Sequence, residues 1–199
     1  MSFQYLALGD SYTIGESVEE AERFPNQLAS MLEDEGLTVG VTIIARTGWT
    51  TNELWEGIQA STVKPPYDLV SLLIGVNNQY RGYDIKKYRE EFIFLLGKAI
   101  EYAGGDATRV IVFSIPDWGV TPFAAGRDTT KIATEIDAFN QVNLEESQKA
   151  GVDYVDVTPV SRRAVDDKSL IASDGLHPSG SMYAQWAQLA LPIALEILK

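Results

Sequence analysis

Residues 3–15 read FQYLALGDSYTIG, an apolar run that stops abruptly at a polar segment flanked by glycines. The run Phe3–Leu8 has the length and apolar character of a strand buried on both faces, which is typical of parallel sheets. Gly9 and Asp10 then break the strand, so the polar side chains that follow stand at its carboxyl end. In open α/β sheets, ligands bind outside the carboxyl ends of the strands. The stretch therefore predicts a parallel α/β fold and indicates where its chemistry lies.

Four further apolar runs continue this pattern. They are Thr38–Ala45, Asp68–Ile74, Arg109–Ile115 and Val152–Val157. The longer segments between the runs carry apolar residues at helical spacing, most clearly at Pro25–Glu35, Ile85–Tyr102 and Lys131–Lys149. This alternation predicts an α/β fold in which a five-stranded, mostly parallel sheet is covered on both faces. A chain of 199 residues fits one domain, so we expect a single domain over residues 1–199.

The last helix is predicted to begin at about Ser179 and to turn one apolar face inward. The residues expected on that face are Met182, Trp186, Leu189, Ala190 and Ile193. Because a proline removes a backbone donor inside a helix, Pro192 is expected to bend or shorten it.

The composition argues against several kinds of partner and chemistry. A formal net charge of −12 repels phosphate backbones and anionic lipid surfaces, so we expect neither nucleic-acid binding nor stable membrane insertion. No segment reaches the roughly 20 apolar residues of a membrane span. Without cysteine there is no disulfide, thiolate ligand or thiol nucleophile, and a single histidine argues against a zinc site. We therefore expect no metal.

The N-terminal residues Met1–Leu8 lack the basic segment and the long apolar run of a secretory signal. We therefore expect a cytoplasmic protein, unless a leader has been removed from the chain. Nothing in the sequence indicates the oligomeric state.

Ser11 is the first candidate for chemistry, because it stands just after the first predicted strand in the segment Gly9–Gly15. On its own, this segment is as well explained by a turn that caps the next helix. A serine hydroxyl becomes a nucleophile only with a base within hydrogen-bond reach, usually a histidine oriented by a carboxylate. The hypothesis therefore depends on the single histidine of the chain.

His177 lies in a glycine-containing loop, Ser173–Ser179, immediately before the last helix. Asp174 is close enough in sequence to accept from one ring nitrogen while the other nitrogen faces Ser11. Pro178 favours an extended conformation for His177 and opens the following helix. The competing interpretations are a surface histidine and a simple Asp-Gly turn, but this loop is expected at the same sheet edge as Ser11.

Two further segments follow predicted strands and carry groups suited to a negatively charged tetrahedral intermediate. Gly48, after the second strand, can present its backbone N–H without a side chain to obstruct the approach. Asn77, after the third strand, can point its side-chain amide at the same place. Taken separately, each segment is better explained as a turn at the end of a strand.

The four segments in this order resemble the SGNH, or GDSL-like, hydrolases, which are named for a serine, a glycine, an asparagine and a histidine in four sequence blocks. The resemblance spans residues 9–178. It implies that Ser11 is the nucleophile and that Asp174 and His177 complete a catalytic triad. It also implies an oxyanion hole formed by Ser11, Gly48 and Asn77.

The resemblance further implies a three-layer α/β/α sandwich with a flavodoxin-like, five-stranded sheet, in agreement with the strand count above. The family hydrolyses carboxylic esters of sugars, lipids and small alcohols, sometimes thioesters, and needs no metal or organic cofactor. The expected partner is therefore a small-molecule ester. One departure concerns the third block, which is often Gly-x-Asn-Asp, whereas this chain has Asn78 in the last place. This leaves open which hydrogen bonds support the loop.

Other functions occur on such a sheet. A receiver would need an aspartate at the end of the third strand, where this chain has Gly75, and the sequences typical of nucleotide binding are missing. An α/β-hydrolase would need Gly-x-Ser-x-Gly, which does not occur. The main alternative is a catalytically inactive relative that binds carbohydrate or another ligand. Burst release of an acyl chromophore distinguishes it from a hydrolase.

Four aromatic residues in the loops around these segments are candidate walls of an acyl or sugar pocket: Trp49, Tyr80, Trp118 and Phe123. The competing interpretation is ordinary packing of loops on the core. Two of them belong to the longest irregular stretch, Pro116–Thr130, and long loops inside a domain are often functional. We expect this stretch to select the substrate or to act as a mobile lid.

Overall fold

A parallel sheet of five strands forms the centre of the protein in a computed structural model that describes residues 2–199. The strands are β1 (Ser2–Gly9), β2 (Thr38–Ala45), β3 (Leu69–Leu73), β4 (Val110–Phe113) and β5 (Asp153–Val155). Their order across the sheet is β2-β1-β3-β4-β5, and every neighbouring pair is parallel. The central strands β3 and β4 are buried along their whole length, as expected for a sheet that is covered on both faces.

Eight α-helices occur within residues 2–199. They are α1 (Ser11–Ile14), α2 (Phe24–Asp34), α3 (Thr51–Ala60), α4 (Val76–Tyr80), α5 (Ile85–Tyr102), α6 (Thr129–Ala150), α7 (Thr158–Arg162) and α8 (Gly180–Leu198). Helix α2 packs against α8, whereas α5 packs against both α3 and α6, so the helices form two layers with the sheet between them. None of these helices combines the length and apolar composition that a membrane crossing requires.

The predicted three-layer α/β/α architecture and its five strands are confirmed, with strand ends that differ by one or two residues. Helix α5 has the predicted bounds. Helix α3 was missed, because Gly57 interrupts its pattern of good helix formers. Its start carries a signal that would have revealed it, since Thr50 and Glu53 form a capping box.

The structure corrects one expectation about α8 and excludes one of the two effects expected of Pro192. Met182, Trp186 and Ala190 are buried as expected, but Leu189 is exposed. The buried face also includes Tyr183, Ala187 and Ala194, whose mostly small side chains let α2 approach closely. Pro192 does not shorten the helix, which continues to Leu198. Pro192 lies on the exposed side of the helix, where water can satisfy the carbonyl group that loses its intrahelical donor.

The sheet places β1 between β2 and β3, so the segments after these three strands share one edge. Gly9, the last residue of β1, pairs with Leu73 at the end of β3. A Cβ atom on Gly9 would lie 2.5 Å from the backbone oxygen of Leu73 and 2.1 Å from Oγ1 of Thr13. Only glycine fits this close approach of two strands and a helix.

Replacing Gly9 by alanine is therefore expected to lower the free energy of unfolding by about 1–3 kcal/mol, because backbone must move to accept the methyl group. The matched control is Gly97→Ala in α5, where the added Cβ meets nothing within 4 Å beyond its own helix backbone. That change should raise stability by about 0.5–1 kcal/mol, since alanine favours a helix more than glycine does. Urea unfolding of both variants checks the pair, and a Gly9 variant as stable as the wild type would contradict the packing argument.

Candidate active site

Ser11 lies where β1 ends and the one-turn helix α1 begins. Asp10 caps this helix, since its Oδ1 accepts from the backbone N–H of Tyr12 at 3.0 Å. Gly15 ends the helix with a φ of +70°, in the left-handed region that glycine adopts readily. The sharp turn from strand to helix brings Ser11 to a cavity of about 160 Å³ at the carboxyl edge of the sheet.

The cavity unites the segments that the sequence singles out. Its walls include Ser11, Gly48, Asn77 and His177. The other lining residues are Tyr12, Thr47, Val76, Tyr80, Trp118, Phe123 and Leu176. The side chains of Ser11 and His177 make no direct hydrogen bond in this structure. Such contacts often tighten only when substrate is bound, and the two side chains already face the same cavity.

The side chains of His177 and Asp174 are joined by a short hydrogen bond. The Nδ1 atom of His177 lies 2.6 Å from Oδ2 of Asp174. The other carboxylate oxygen accepts from the backbone N–H groups of Leu176 and His177 at 2.9 and 3.0 Å. Partial burial raises the pKa of Asp174, but the hydrogen bonds from the His177 ring and from these donors outweigh it and hold the pKa at about 2. The carboxylate is therefore ionised, and Nε2 is the ring nitrogen that can accept a proton.

Ser17 is a further partner of this carboxylate that sequence reasoning missed. Its hydroxyl donates to Oδ2 of Asp174 at 2.8 Å, the same oxygen that faces the ring of His177. The backbone of Ser17 has a φ of +66°, which is uncommon for any residue but glycine and costs free energy. No local pattern reveals such a contact, because its partners lie at opposite ends of the chain.

Gly48 and Asn77 stand on the cavity wall, and each forms a hydrogen bond with a neighbour. The Gly48 carbonyl accepts from the guanidinium of Arg81 at 2.6 Å, and the Asn77 side-chain NH₂ donates to the Trp49 carbonyl at 2.9 Å. An NH₂ group has a second hydrogen, so one donor of Asn77 remains available. Gly48 has a φ of +87°, and an added Cβ would meet nothing closer than Arg81 at 3.9 Å. Backbone conformation, rather than crowding within the protein, therefore requires glycine here.

Asn78, the departure from the family pattern, is fully buried and joins α4 to the start of α3. Its Oδ1 accepts from the backbone N–H of Thr51 at 3.1 Å, and its Nδ2 donates to Oγ1 of Thr51 at 2.7 Å. The Thr51 hydroxyl in turn donates to Glu91. An aspartate could have accepted both bonds from Thr51, whereas the amide makes the hydroxyl an acceptor and turns its proton to Glu91.

Three of the four predicted aromatic residues line the cavity, and Trp49 does not. Tyr80, Trp118 and Phe123 form one wall, with ring centroids 5.4 to 6.2 Å apart. The ring of Trp49 instead packs on α3 at Gly57, where a methyl group would overlap it. The predicted irregular stretch that carries Trp118 and Phe123 is folded into two short 3₁₀ turns before α6 begins.

Asp10 is a second carboxyl group beside Ser11, in a very different environment. It is fully buried, and its Oδ2 has no hydrogen-bond partner among residues 2–199. Burial raises the pKa of Asp10 to about 7, although the hydrogen bond from the backbone N–H of Tyr12 opposes this. Ionisation of Asp10 therefore works against folding.

Comparison with known proteins agrees with the resemblance found in the sequence. The sequence model of the GDSL-like Lipase/Acylhydrolase family matches residues 7–185. A comparison with curated protein sequences gave no match. Among solved structures, the chain is similar to the lipase/acylhydrolase from Enterococcus faecalis, at 21% identity and a TM-score of 0.77, with 99% of this chain and 97% of that chain covered.

Two esterase structures are also similar. The psychrotrophic esterase EstA from Pseudoalteromonas sp. has 14% identity and a TM-score of 0.75, with 98% of each chain covered. Axe2, an acetylxylan esterase from Geobacillus stearothermophilus, has 16% identity and a TM-score of 0.70, with 98% of this chain and 93% of that chain covered. At these identities the structures establish a shared fold, while the family match covers most of the chain.

The pKa of Asp10 gives a prediction about stability. An acid whose folded pKa is raised contributes stability below its unfolded pKa, near 3.8, and loses it as the pH rises through about 7. Wild type should therefore lose more stability than Asp10→Asn between pH 5 and pH 9, by an amount on the order of 1–4 kcal/mol. Asparagine can keep the helix cap, and urea unfolding at both pH values isolates the difference. Parallel pH dependences for the two proteins would show that Asp10 ionises normally.

Proposed function

The chain belongs to the GDSL-like lipase/acylhydrolase family and is a serine hydrolase of carboxylic esters, and we propose that Ser11 is its nucleophile. In this proposal His177 is the general base and Asp174 orients it. The supporting observation is that one cavity collects Ser11, Gly48, Asn77 and His177, with Asp174 hydrogen-bonded behind the imidazole ring.

In the acylation step, Nε2 of His177 takes the proton of the Ser11 hydroxyl as Oγ attacks the ester carbonyl carbon. The carbonyl oxygen becomes an oxyanion, which accepts from the backbone N–H groups of Ser11 and Gly48 and from the free side-chain N–H of Asn77. Asp174, ionised because its pKa is about 2, stabilises the imidazolium that forms. Collapse of the intermediate breaks the ester C–O bond, and the alcohol leaves with the proton from His177.

In the deacylation step, water replaces the alcohol. His177 accepts a proton from the water as its oxygen attacks the acyl carbon, and the same donors bind the second oxyanion. Collapse breaks the bond to Ser11 Oγ, which recovers its proton from His177. The products are a carboxylic acid and free enzyme, and neither step requires a metal or an organic cofactor.

The cavity favours a small ester group with an apolar or sugar-like neighbour. Its wall of Tyr80, Trp118 and Phe123 offers ring faces on which an acyl chain or a pyranose can pack. We propose substrates among small acyl esters, acetylated sugars and lipid-like esters. A panel of p-nitrophenyl esters of increasing acyl length, followed by acetylated sugars, orders these classes.

A catalytically inactive, ligand-binding relative is the less favoured alternative. Such a protein would not need an ionised Asp174 held by four donors behind a histidine. Stoichiometric burst release of p-nitrophenol followed by turnover distinguishes the enzyme from the binding protein.

Ser11→Ala should abolish ester hydrolysis without changing the fold, because the acyl-enzyme cannot form without the serine oxygen. A fluorophosphonate probe should label wild type once, at Ser11, and should leave the variant unlabelled. Mass spectrometry of the labelled peptide makes the assignment, with Ser61→Ala, outside the cavity, as the control that keeps the nucleophile and its partners. Labelling at another serine would sink the assignment.

Asn77→Ala should lower kcat by about 10²–10³ with KM nearly unchanged, the usual cost of losing one oxyanion donor. The reason is that its amide binds the charged tetrahedral oxygen more strongly than the ground-state carbonyl. Steady-state kinetics with p-nitrophenyl acetate separates the two constants. A raised KM at constant kcat would instead make Asn77 a substrate-binding residue.

Asn78→Ala is the matched neighbour, and its effect should fall on stability. Loss of the amide leaves the buried N–H of Thr51 without an acceptor, which costs about 1–3 kcal/mol, while the Thr51 hydroxyl keeps its bond to Glu91. Its kcat should fall less than that of the Asn77 variant. A larger kinetic effect at position 78 than at position 77 would reverse the two roles.

A further inference from the structure

One cation stands at the aromatic wall of the cavity. The guanidinium carbon of Arg127 lies 5.2 Å from the ring centroid of Tyr80, 5.4 Å from that of Trp118 and 5.2 Å from that of Phe123. A guanidinium over aromatic faces is attracted to the negative potential of the rings. Three rings at similar distances therefore favour this position of the side chain, although Arg127 itself is exposed.

The charge of Arg127 has no carboxylate partner among residues 2–199. Its side chain makes a single hydrogen bond, to the hydroxyl of Tyr80 at 3.2 Å. The nearby acids have other partners: Asp128 caps α6 by accepting from the backbone N–H of Lys131, and Glu135 accepts from Gln79 and pairs with the Lys131 side chain. A guanidinium has five N–H donors, so most of those on Arg127 remain available.

The aromatic wall separates the active-site cavity from a second one. Tyr80 and Trp118 line both cavities, and Arg127 lines the second, which has a volume of about 260 Å³. A substituent of an ester bound at Ser11 that extends past these two rings would meet the guanidinium. An arginine held by cation–π contacts keeps most of its N–H groups free, and its planar guanidinium can bind a carboxylate with two hydrogen bonds.

We propose that Arg127 is a specificity-determining residue that favours esters carrying a carboxylate or similar anionic group several bonds from the scissile carbonyl. The inference rests on the proposed function, because it assumes that the ester carbonyl sits at Ser11. The net charge of the chain is −12, so its overall field repels an anionic substrate. Arg127 lines the second cavity together with Asp128, Lys131 and Glu135, which are already partnered, and it supplies a local attraction that opposes the net repulsion.

The test compares matched esters in wild type and in Arg127→Gln. One pair places the charge on the acyl side: the mono-p-nitrophenyl ester of adipic acid against p-nitrophenyl 6-methylheptanoate, in which an isopropyl group replaces the carboxylate. A second pair places it on the alcohol side: 4-acetoxybenzoate against 4-tolyl acetate. For each ester, the wild-type kcat/KM divided by that of the variant is independent of the ester's intrinsic reactivity. The pair whose anionic ester shows the larger ratio identifies whether the anion lies on the acyl or the alcohol side.

Arg127→Gln should lower kcat/KM for the anionic ester of at least one pair by about tenfold or more, the effect of losing charge-assisted hydrogen bonds, while its neutral partner changes little. Arg127→Lys should fall between, since it keeps the charge but loses the fork. Arg163→Gln is the control, because it removes an equal charge from an exposed residue outside both cavities. Its selectivity should equal that of wild type.

Equal losses for charged and neutral esters in Arg127→Gln would overturn the proposal and leave Arg127 as a support for the aromatic wall. Equal selectivity in all variants would overturn it as well. An equal shift in Arg163→Gln would do the same, because the effect would then belong to the overall charge. Failure of the proposed function looks different, since no ester would be hydrolysed and Ser11 would not be labelled.

Discussion

All five strands run in the same direction, and this single constraint assembles the candidate site. The segments after β1, β2 and β3 share one edge, so Ser11, Gly48 and Asn77 meet although they are distant in sequence. Pairing of Gly9 with Leu73 fixes the register of two of these segments. The loop before α8 reaches the same edge, and a bridge between Ile171 and Pro178 closes it around the residues that bear the carboxylate and the imidazole.

The two carboxyl groups near the serine have pKa values shifted in opposite directions. Asp174 is surrounded by donors, which hold its pKa at about 2 and keep its charge. Asp10 is surrounded by core, which raises its pKa to about 7. The arrangement concentrates negative charge beside the imidazole, where the proposed mechanism places a cation. Ser17 stabilises the charge of Asp174 by donating to it from a backbone conformation in the left-handed region.

The sequence predicted the strands, most of the amphipathic helices and the segments that follow a strand, because these features depend on periodicity and on position in the chain. Helix α5 is an example, because a continuous amphipathic pattern defined both of its ends. Contacts across the chain were not accessible in this way. Ser17 binds its carboxylate through the tertiary fold, and Arg127 joins three rings that come from two separate segments. Trp49 was expected at the cavity because its neighbour in sequence, Gly48, lies there, but its ring turns back onto α3.

The contact of Asn78 with Thr51 and Glu91 bears on how this sequence can have diverged from its relatives. With asparagine in the third block, the threonine hydroxyl receives a hydrogen bond and passes its own proton to Glu91. With the aspartate that is often found there, the hydroxyl could donate to only one of two carboxylates, the buried one at position 78 or the part-buried one of Glu91. The side chains at positions 78 and 91 are therefore coupled through the Thr51 hydroxyl. An alignment of the family should show them covarying, with an acid at position 91 accompanying the amide and a neutral residue accompanying the acid.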